Sequence, residues 1–242
     1  MLRLVLRNAF FLPAFVLTTA VVAATIILVS KVPGSTRFIR QLEVYWAKIT
    51  VFASGVRVEA DEPELEPDQN YIFLANHQSH LDIPIILARY ARYFPRFFAK
   101  DSLFRIPLFG PGMRRTGHLS VNRENKRQGM KDVQHAVEQI QGGESVLIFP
   151  EGTRNITEQP LQDFQIGAFI IALKAGAPVV PLIIDGTRQI LPKGRICVHP
   201  GRVRLKAFSP IDINKEYTLK QRNQLKEEVF ALMHKHLMEL GQ

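Results

Sequence analysis

The chain has 242 residues and a formal net charge of +9, from 31 Lys and Arg against 22 Asp and Glu. Hydrophobic residues make up 46% and charged residues 22% of it, which excludes a disordered tail, a collagen and a coiled coil. At about 150 residues per domain, this length predicts one large domain with an appendage. The basic excess indicates an anionic partner, such as a nucleic acid, an anionic membrane or a phosphorylated substrate.

The cysteine content limits the disulfide and metal sites that the chain can form. A single cysteine, Cys197, excludes a disulfide framework, a Cys-rich zinc site and an iron–sulfur cluster. Because Cys197 stands between Ile196 and Val198, we expect it to be a small residue of the hydrophobic core.

The first predicted element in chain order is an apolar helix near the N-terminus. Residues Ala9–Val29 carry no charge, and as a helix they extend about 32 Å, enough for a hydrocarbon core of about 30 Å. Two interpretations fit: a helix that spans the membrane, or one that dips in near Pro13 and returns as part of a helical hairpin. A cleaved signal peptide and a core helix of a soluble protein are weaker alternatives, since uncharged runs of this length are typical of membrane segments.

The second predicted element is an amphipathic helix over Arg37–Phe52. Its apolar side chains recur at helical spacing and form one stripe: Phe38, Ile39, Leu42, Tyr45, Trp46, Ile49 and Phe52. A basic amphipathic helix with a Trp either lies in the membrane interface or packs on the body of the protein. We therefore predict a membrane-anchoring helical segment over residues 1–55 and a globular domain over residues 56–242.

Short apolar runs alternate with helical patterns through the rest of the chain. This alternation predicts an α/β fold with a mixed sheet flanked by helices. The predicted strands are Val56–Glu59, Tyr71–Ala75, Arg96–Ala99, His118–Val121, Ser145–Phe149 and Val179–Ile184, with a late strand pair Arg195–His199 and Val203–Ala207. The predicted helices are Ile83–Tyr93, Glu124–Gln141, Phe164–Lys174 and Leu219–Leu240. The acidic, proline-containing stretch Asp61–Asn70 is predicted to be a surface loop.

A first group of reactive side chains follows the strand Tyr71–Ala75, at a strand end where α/β proteins bind ligands. If His77 lies in the turn and Asp82 in the first turn of a helix, the carboxylate reaches the imidazole. Asp82 then holds one tautomer and leaves the other ring nitrogen as a general base, with a substrate hydroxyl in place of a serine. A structural histidine is the alternative, and a metal site built from His77, His80 and Asp82 is disfavoured because no further ligand stands at metal-binding spacing.

A second motif, Phe149–Arg154, follows another buried strand. A strand that ends in a glycine turn beside an arginine suits an anion, because backbone N–H groups converge there and the guanidinium binds phosphate in two places. An ordinary turn with a surface arginine is the alternative.

Together the motifs resemble the signature of glycerolipid acyltransferases, specifically the 1-acylglycerol-3-phosphate O-acyltransferases. They are Asn76-His77-x4-Asp82 and Phe149-Pro150-Glu151-Gly152-Thr153-Arg154, and a preset six-residue string arises by chance in about one in 10⁵ to 10⁶ such chains. Gly117–Arg123 resembles the family's second block, which ends in a phosphate-binding arginine, and Val180–Ile184 resembles the apolar fourth block. Lys100 matches a basic position often found in the family. The resemblance covers about Val56–Ile184.

Two positions depart from the family pattern. Asn155 stands where the family commonly has Ser, and Gln165 stands where Lys is common before Gly167. We expect neither residue to touch the core motifs, although Gln165 is a position that could alter contacts with the substrate head group.

The resemblance implies that His77 deprotonates the sn-2 hydroxyl of lysophosphatidic acid. That oxygen attacks the thioester of acyl-CoA or acyl-carrier protein and gives phosphatidic acid, while Asp82 orients His77. The implied substrate-binding residues are Lys100, Arg123, Glu151, Gly152, Thr153 and Arg154. The cations would hold the phosphate, and Glu151 would either order Arg154 or bind a glycerol oxygen. No metal or bound cofactor is expected, because the thioester supplies the activation. The expected location is a membrane, with the catalytic domain on the cytoplasmic face.

Three alternatives stay open at this point. The acceptor could instead be glycerol 3-phosphate or a lysophospholipid with a larger head group. The stretch Arg89–Phe98 interleaves cations with aromatics, which suits an anionic membrane or a single-stranded nucleic acid, or is simply a solvated helix end followed by a strand. A nucleic-acid module has no use for the apolar N-terminus, so nucleic acid is not expected as a partner. A membrane scaffold without activity is the third alternative.

Overall fold

The computed structural model describes residues 2–121 and 126–240. The helices are α1 Leu2–Val29, α2 Thr36–Ser54, α3 Asp82–Arg89, α4 Phe109–Arg115, α5 Lys126–Gln141, α6 Ile166–Ala175, α7 Thr187–Ile190, α8 Ile213–Glu216 and α9 Arg222–Leu240. The strands are β1 Arg57–Asp61, β2 Ile72–Ala75, β3 Arg96–Lys100, β4 Leu119–Val121, β5 Val146–Ile148, β6 Val179–Asp185 and β7 Arg202–Ala207. Short 3₁₀ turns cover Asp101–Arg105 and Leu219–Gln221.

Within these residues the strands form one mixed sheet in the order β1-β7-β6-β2-β5-β3-β4. β6, β2, β5, β3 and β4 run parallel to one another, whereas β7 is antiparallel to β6 and parallel to β1. The carboxyl ends of β2, β3, β4, β5 and β6 therefore meet at one edge of the sheet. The predicted α/β fold with a mixed, helix-flanked sheet is confirmed.

Helices cover both faces of the sheet, which explains why its central strands are continuously apolar. Along β2, Phe73 faces a cluster that includes side chains of α3 and the N-terminal helices, whereas Ile72 and Leu74 face a cluster that includes α5, α6 and α9. This alternation follows from the two-residue side-chain period of a strand. All three side chains are fully buried.

α1 and α2 form a helical hairpin that packs against the body of the protein. The Trp46 indole N–H donates to the Thr19 hydroxyl at 2.9 Å, and the Arg7 guanidinium donates to the Ser54 carbonyl at 3.3 Å. In the part of the chain that the structure describes, Arg7–Val29 is the one helix long and apolar enough to cross a membrane. Only 11% of its most apolar stretch is buried within the protein. Gly112 of α4 lies so close to α1 that an added Cβ would be 3.2 Å from the Ala23 Cβ.

The apolar stripe predicted for α2 divides into two parts. Ile39 is buried and Trp46 is half-buried, whereas the remaining large side chains at the outer edge of the stripe face outward. These exposed residues are Phe38, Tyr45, Ile49 and Phe52. The buried face of α2 instead includes the polar Glu43, Thr50 and Ser54. One side of α2 therefore packs on the protein while the other presents apolar surface.

The predicted strand Arg195–His199 is wrong. The Val198 backbone exchanges hydrogen bonds with the Asn8 side chain, at 2.6 and 3.1 Å, instead of joining a ladder. β7 accordingly pairs with β6 and β1 rather than with a strand over Arg195–His199. Cys197 is exposed, so its assignment to the core is also wrong. Val198 is the one buried residue of Arg195–His199, and the apolar character of the segment did not reveal this.

The stretch Arg89–Phe98 does not form a continuous basic and aromatic surface. Arg96 and Phe97 lie in β3 and are 4% and 5% exposed. The Arg96 guanidinium lies 3.5 Å from both Glu43 and Glu144, and burial lowers its pKa although both carboxylates oppose that shift. This segment matches the alternative of a helix end followed by a strand.

Candidate active site

The turn that carries His77 begins where β2 ends at Ala75. Asn76 is fully buried and locks this point, because its side chain donates to the Ile184 carbonyl at 2.9 Å and accepts from the Ile184 N–H at 2.8 Å. The chain then turns and enters α3, whose first residue is Asp82. The spacing of five residues thus folds as predicted, with the histidine in the turn and the aspartate in the first helical turn.

The His77 imidazole and the Asp82 carboxylate form a close pair. Nδ1 lies 2.7 Å from Oδ2, and the same oxygen accepts the backbone N–H groups of Gln78 and Ser79 at 2.7 and 2.8 Å. Asp82 is fully buried, whereas the His77 side chain is 15% exposed. Because the carboxylate accepts, Nδ1 carries the proton and Nε2 keeps a free lone pair. The pair has the geometry of a general base.

The segment after β5 surrounds His77 on three sides. The Phe149 ring stacks on the imidazole with centroids 4.0 Å apart and planes 17° apart. Glu151 Oε1 accepts the His77 backbone N–H at 2.7 Å, and the Asn155 N–H donates to the His77 carbonyl at 2.7 Å. The second motif therefore holds His77 by its ring and its backbone N–H, and Asn155, the next residue, holds it by its backbone carbonyl.

Glu151 acts on backbone groups in this structure. Its second oxygen accepts the Gln162 N–H at 2.9 Å, so both carboxylate oxygens are engaged with the chain. Burial raises the pKa of Glu151 to about 7, although the N–H groups of His77 and Gln162 oppose that shift. The two roles suggested by the resemblance, ordering Arg154 or binding a glycerol oxygen, were incomplete because neither included these backbone contacts.

Arg154 lies within electrostatic range of the Asp82 carboxylate. Burial lowers its pKa, and the Asp82 carboxylate opposes that change. One guanidinium nitrogen, Nη1, is buried without a hydrogen-bond partner among the described residues. Gly152 precedes it with φ +73°, a left-handed conformation that favours glycine, and Thr153 is exposed. The turn thus presents an unsatisfied cationic donor beside the pair.

The remaining predicted substrate-binding residues follow neighbouring strands. Lys100 is the last residue of β3, which pairs in parallel with β5, and its side chain is exposed. Arg123 lies outside the described residues; β4, which precedes it, ends at Val121 opposite Lys100. The parallel strand order places Lys100 and the end of β4 at the edge that carries His77 and Glu151.

Three residues contact the motifs of this site in ways that the sequence did not predict. Phe149 was treated only as part of a motif, yet its ring contacts the imidazole directly. Asn155 was expected not to touch the core motifs, yet its backbone binds His77 and its buried side chain accepts from Thr157 N–H and donates to the Gln159 carbonyl. Gln165 also binds a core motif, since its N–H donates to the Pro150 carbonyl at 2.7 Å. All three residues stand in the segment between β5 and α6, close to a strand end, and this position was the one signal in the sequence that they belong to the site.

The mixed α/β fold and the histidine–aspartate pair at the edge of its sheet indicate an acyltransferase. Comparison with known proteins supports this class. A family model described as Acyltransferase matches residues 55–185. The chain belongs to this acyltransferase family.

Individual relatives show which acyltransferases the chain resembles. The chain is 39% identical over 150 residues to a 1-acyl-sn-glycerol-3-phosphate acyltransferase of Chlamydomonas reinhardtii, covering 62% of this chain and 44% of that protein. It is 31% identical over 188 residues to the 1-acyl-sn-glycerol-3-phosphate acyltransferase of Salmonella typhimurium, covering 77% of this chain and 75% of that protein. The chain spans about half the length of the algal and plant relatives it matches.

A solved structure matches almost the whole chain. The crystal structure of the 1-acyl-sn-glycerophosphate (LPA) acyltransferase PlsC from Thermotoga maritima has a TM-score of 0.81 and 25% sequence identity to it. The match covers 99% of this chain and 97% of that one, so the N-terminal hairpin belongs to the shared fold.

Proposed function

We propose that the protein transfers a fatty acyl group from acyl-CoA or acyl-carrier protein to the sn-2 hydroxyl of lysophosphatidic acid, giving phosphatidic acid for phospholipid biosynthesis. The observation that carries this proposal is the His77–Asp82 pair at 2.7 Å, with Nε2 free at the sheet edge and a cation beside it. The names of the relatives support the same reaction.

His77 Nε2 accepts the proton of the acceptor hydroxyl as its oxygen attacks the thioester carbonyl. Asp82 stabilises the imidazolium that forms. The tetrahedral intermediate then collapses, its carbon–sulfur bond breaks, and the departing thiolate takes the proton back from His77. An ester forms and a thioester is consumed, so this mechanism uses no metal and no bound cofactor.

Arg154 binds the phosphate of the acceptor in this proposal. Its buried, unpartnered nitrogen supports the role, because a buried charged donor without a partner is costly until an anion arrives. Lys100, at the end of β3, and Arg123, whose position the structure does not describe, contribute positive charge in this proposal, while Gly152 and Thr153 shape the turn. Glu151 accepts the His77 backbone N–H and so fixes the position of the base.

The hairpin anchors the protein in one leaflet of a membrane, with the catalytic domain on the cytoplasmic face. Contacts at both ends of α1 support a helix that dips in rather than spans, because Asn8 binds Val198 and the Arg115 guanidinium donates to Ser30 at 2.7 Å. Asn8 and Ser30 are about 33 Å apart along the helix. A spanning helix would carry one end to the opposite side of the bilayer from the body.

Acyl transfer by the purified protein in liposomes tests the proposal. Lysophosphatidic acid is supplied with palmitoyl-CoA or palmitoyl-acyl-carrier protein, and glycerol 3-phosphate and lysophosphatidylcholine serve as alternative acceptors. We expect phosphatidic acid from the wild type and at least about a 10³-fold lower rate from His77→Ala. Faster acylation of another acceptor would overturn the assignment of lysophosphatidic acid as the acceptor. Absence of product with every combination of donor and acceptor would overturn the assignment of acyltransferase activity.

A further inference from the structure

The orientation of the His77 ring needs more than its hydrogen bond to Asp82. The torsion that turns an imidazole about its bond to Cβ has a broad energy minimum, so neighbouring groups must fix the ring plane. The bond from Nδ1 to Oδ2 fixes one direction within that plane. It leaves the ring free to tilt about the line joining these two atoms, and such a tilt moves Nε2 away from an acceptor hydroxyl.

Phe149 supplies the missing constraint. Its ring lies face to face with the imidazole at 4.0 Å, with an interplanar angle of 17°. The ring is half-buried and packs against the hydrophobic cluster on the α3 side of the sheet, so the core restricts its movement. Its backbone is also fixed, because the Phe149 carbonyl accepts the Gly152 N–H at 2.9 Å at the end of β5.

We infer that Phe149 is a positioning residue for the proposed acyl transfer, whose stacked ring holds the His77 imidazole in the plane that directs Nε2 at the acceptor hydroxyl. This inference rests on the proposed function of His77. It gives the phenylalanine of the second motif a role apart from phosphate binding: Asp82 constrains the base within the ring plane, and Phe149 constrains it out of the plane.

The stacking also favours the state that follows proton transfer. An aromatic face attracts a cation, so the imidazolium gains from the Phe149 ring a stabilisation that an aliphatic side chain would not give. Removal of the ring is therefore expected to slow the chemical step while leaving substrate binding almost unchanged.

Kinetics of Phe149→Leu and Phe149→Tyr test the inference. We expect Phe149→Leu to lower kcat about tenfold with KM for both substrates within about twofold, and Phe149→Tyr to restore kcat to within about twofold of the wild type. Phe97→Leu is the matched control, because the Phe97 ring contacts another histidine, His118, with ring centroids 3.7 Å apart and planes tilted by 31°. That variant should keep the wild-type kcat. A rise in KM with an unchanged kcat would overturn the inference and place Phe149 among the substrate contacts.

Histidine ring proton NMR gives a readout that does not depend on activity. In the wild type, the His77 ring protons, assigned by their loss in His77→Ala, should be shifted upfield by the Phe149 ring. They should move downfield in Phe149→Leu, stay upfield in Phe149→Tyr, and stay in place in Phe97→Leu. Unchanged His77 signals in Phe149→Leu, or a lost stack with an unchanged kcat, would overturn the inference. Failure of the proposed function is distinguishable, since the wild type would then form no phosphatidic acid, or His77→Ala would keep the wild-type rate, whatever the spectra show.

Discussion

Two of the histidine–carboxylate pairs in the described part of this protein, His77–Asp82 and His118–Glu43, differ in what the second ring nitrogen does. In the His77–Asp82 pair, Nδ1 binds the carboxylate and Nε2 is free. In the other pair, His118 Nε2 contacts Glu43, and Nδ1 accepts the Phe97 N–H at 3.3 Å. Each histidine also contacts a phenylalanine ring, stacked at 17° in the first pair and tilted at 31° in the second. The same three groups are thus assembled twice.

The surroundings of the two pairs explain why only one is suited to catalysis. The His118 side chain is 3% exposed and lies where α2 meets β3 and β4, with the Arg96 guanidinium 3.5 Å from Glu43. Both of its nitrogens are occupied, so it has no lone pair for a substrate. His77 lies at the carboxyl edge of the sheet beside Arg154. A histidine–carboxylate contact alone therefore does not identify a catalytic base; a free nitrogen at an accessible edge does.

Exchange of the carboxylate in each pair should separate the two roles most strongly. Asp82→Asn is expected to lower kcat by about 10² to 10⁴-fold, because the amide stabilises the wrong tautomer and no longer balances the imidazolium. Glu43→Gln should instead lower the melting temperature by about 4 to 10 °C and leave kcat within about twofold below that temperature. Kinetics and thermal unfolding of both variants would contradict this division if Glu43→Gln lost comparable activity while fully folded.

Loss of the cation beside the first pair should mainly affect binding. Arg154→Ala is expected to raise KM for lysophosphatidic acid about 10 to 100-fold, since one charge-assisted contact to phosphate is worth about 1.5–3 kcal/mol. Arg222→Ala, on the exposed surface of α9, removes the same charge elsewhere and should leave KM unchanged. A fall in kcat alone for Arg154→Ala would assign Arg154 to transition-state stabilisation instead.

Substitution of the exposed apolar side chains of α2 should weaken membrane binding without disturbing the buried His118–Glu43 pair. Replacement of Phe38, Tyr45, Ile49 and Phe52 by Ser is expected to weaken partition into anionic vesicles about tenfold, while the apolar α1 retains the rest. The control replaces Leu232 and Met238, two exposed apolar residues of α9, by Ser. Equal partition of both variants in vesicle sedimentation would place the membrane contact elsewhere.

The smallest expected effect concerns pH and the carboxyl that holds His77. Burial raises the pKa of Glu151 to about 7, above the value of about 4.3 for an unfolded chain. The folded state therefore binds this proton more tightly, so a stability contribution present below about pH 4 is lost as pH rises to about 7, roughly 3 kcal/mol in all. Glu151→Gln should show a smaller fall in melting temperature between pH 5 and pH 8 than the wild type or the exposed-site control Glu227→Gln. An equal fall in all three would contradict the shifted pKa.

The sequence predicted local structure better than contacts between distant segments. The strands β2, β5 and β6 and the turn from His77 to Asp82 were predicted because apolar runs and a short motif encode them locally. The His118–Glu43 contact and the Asn155–His77 hydrogen bond join residues far apart in the chain, so no local pattern revealed them. The Arg195–His199 error has the same origin, since a contact from Asn8 determines the backbone of Val198.

The most direct test of the account compares His77→Gln with His118→Gln in one preparation, by acyl transfer to lysophosphatidic acid and by thermal unfolding. The account predicts that His77→Gln loses at least about 10³-fold in kcat at a nearly unchanged melting temperature, whereas His118→Gln keeps kcat and melts several degrees lower. Wild-type turnover by His77→Gln would contradict the claim that His77 is the base. Loss of turnover by fully folded His118→Gln would contradict the separation of the two pairs.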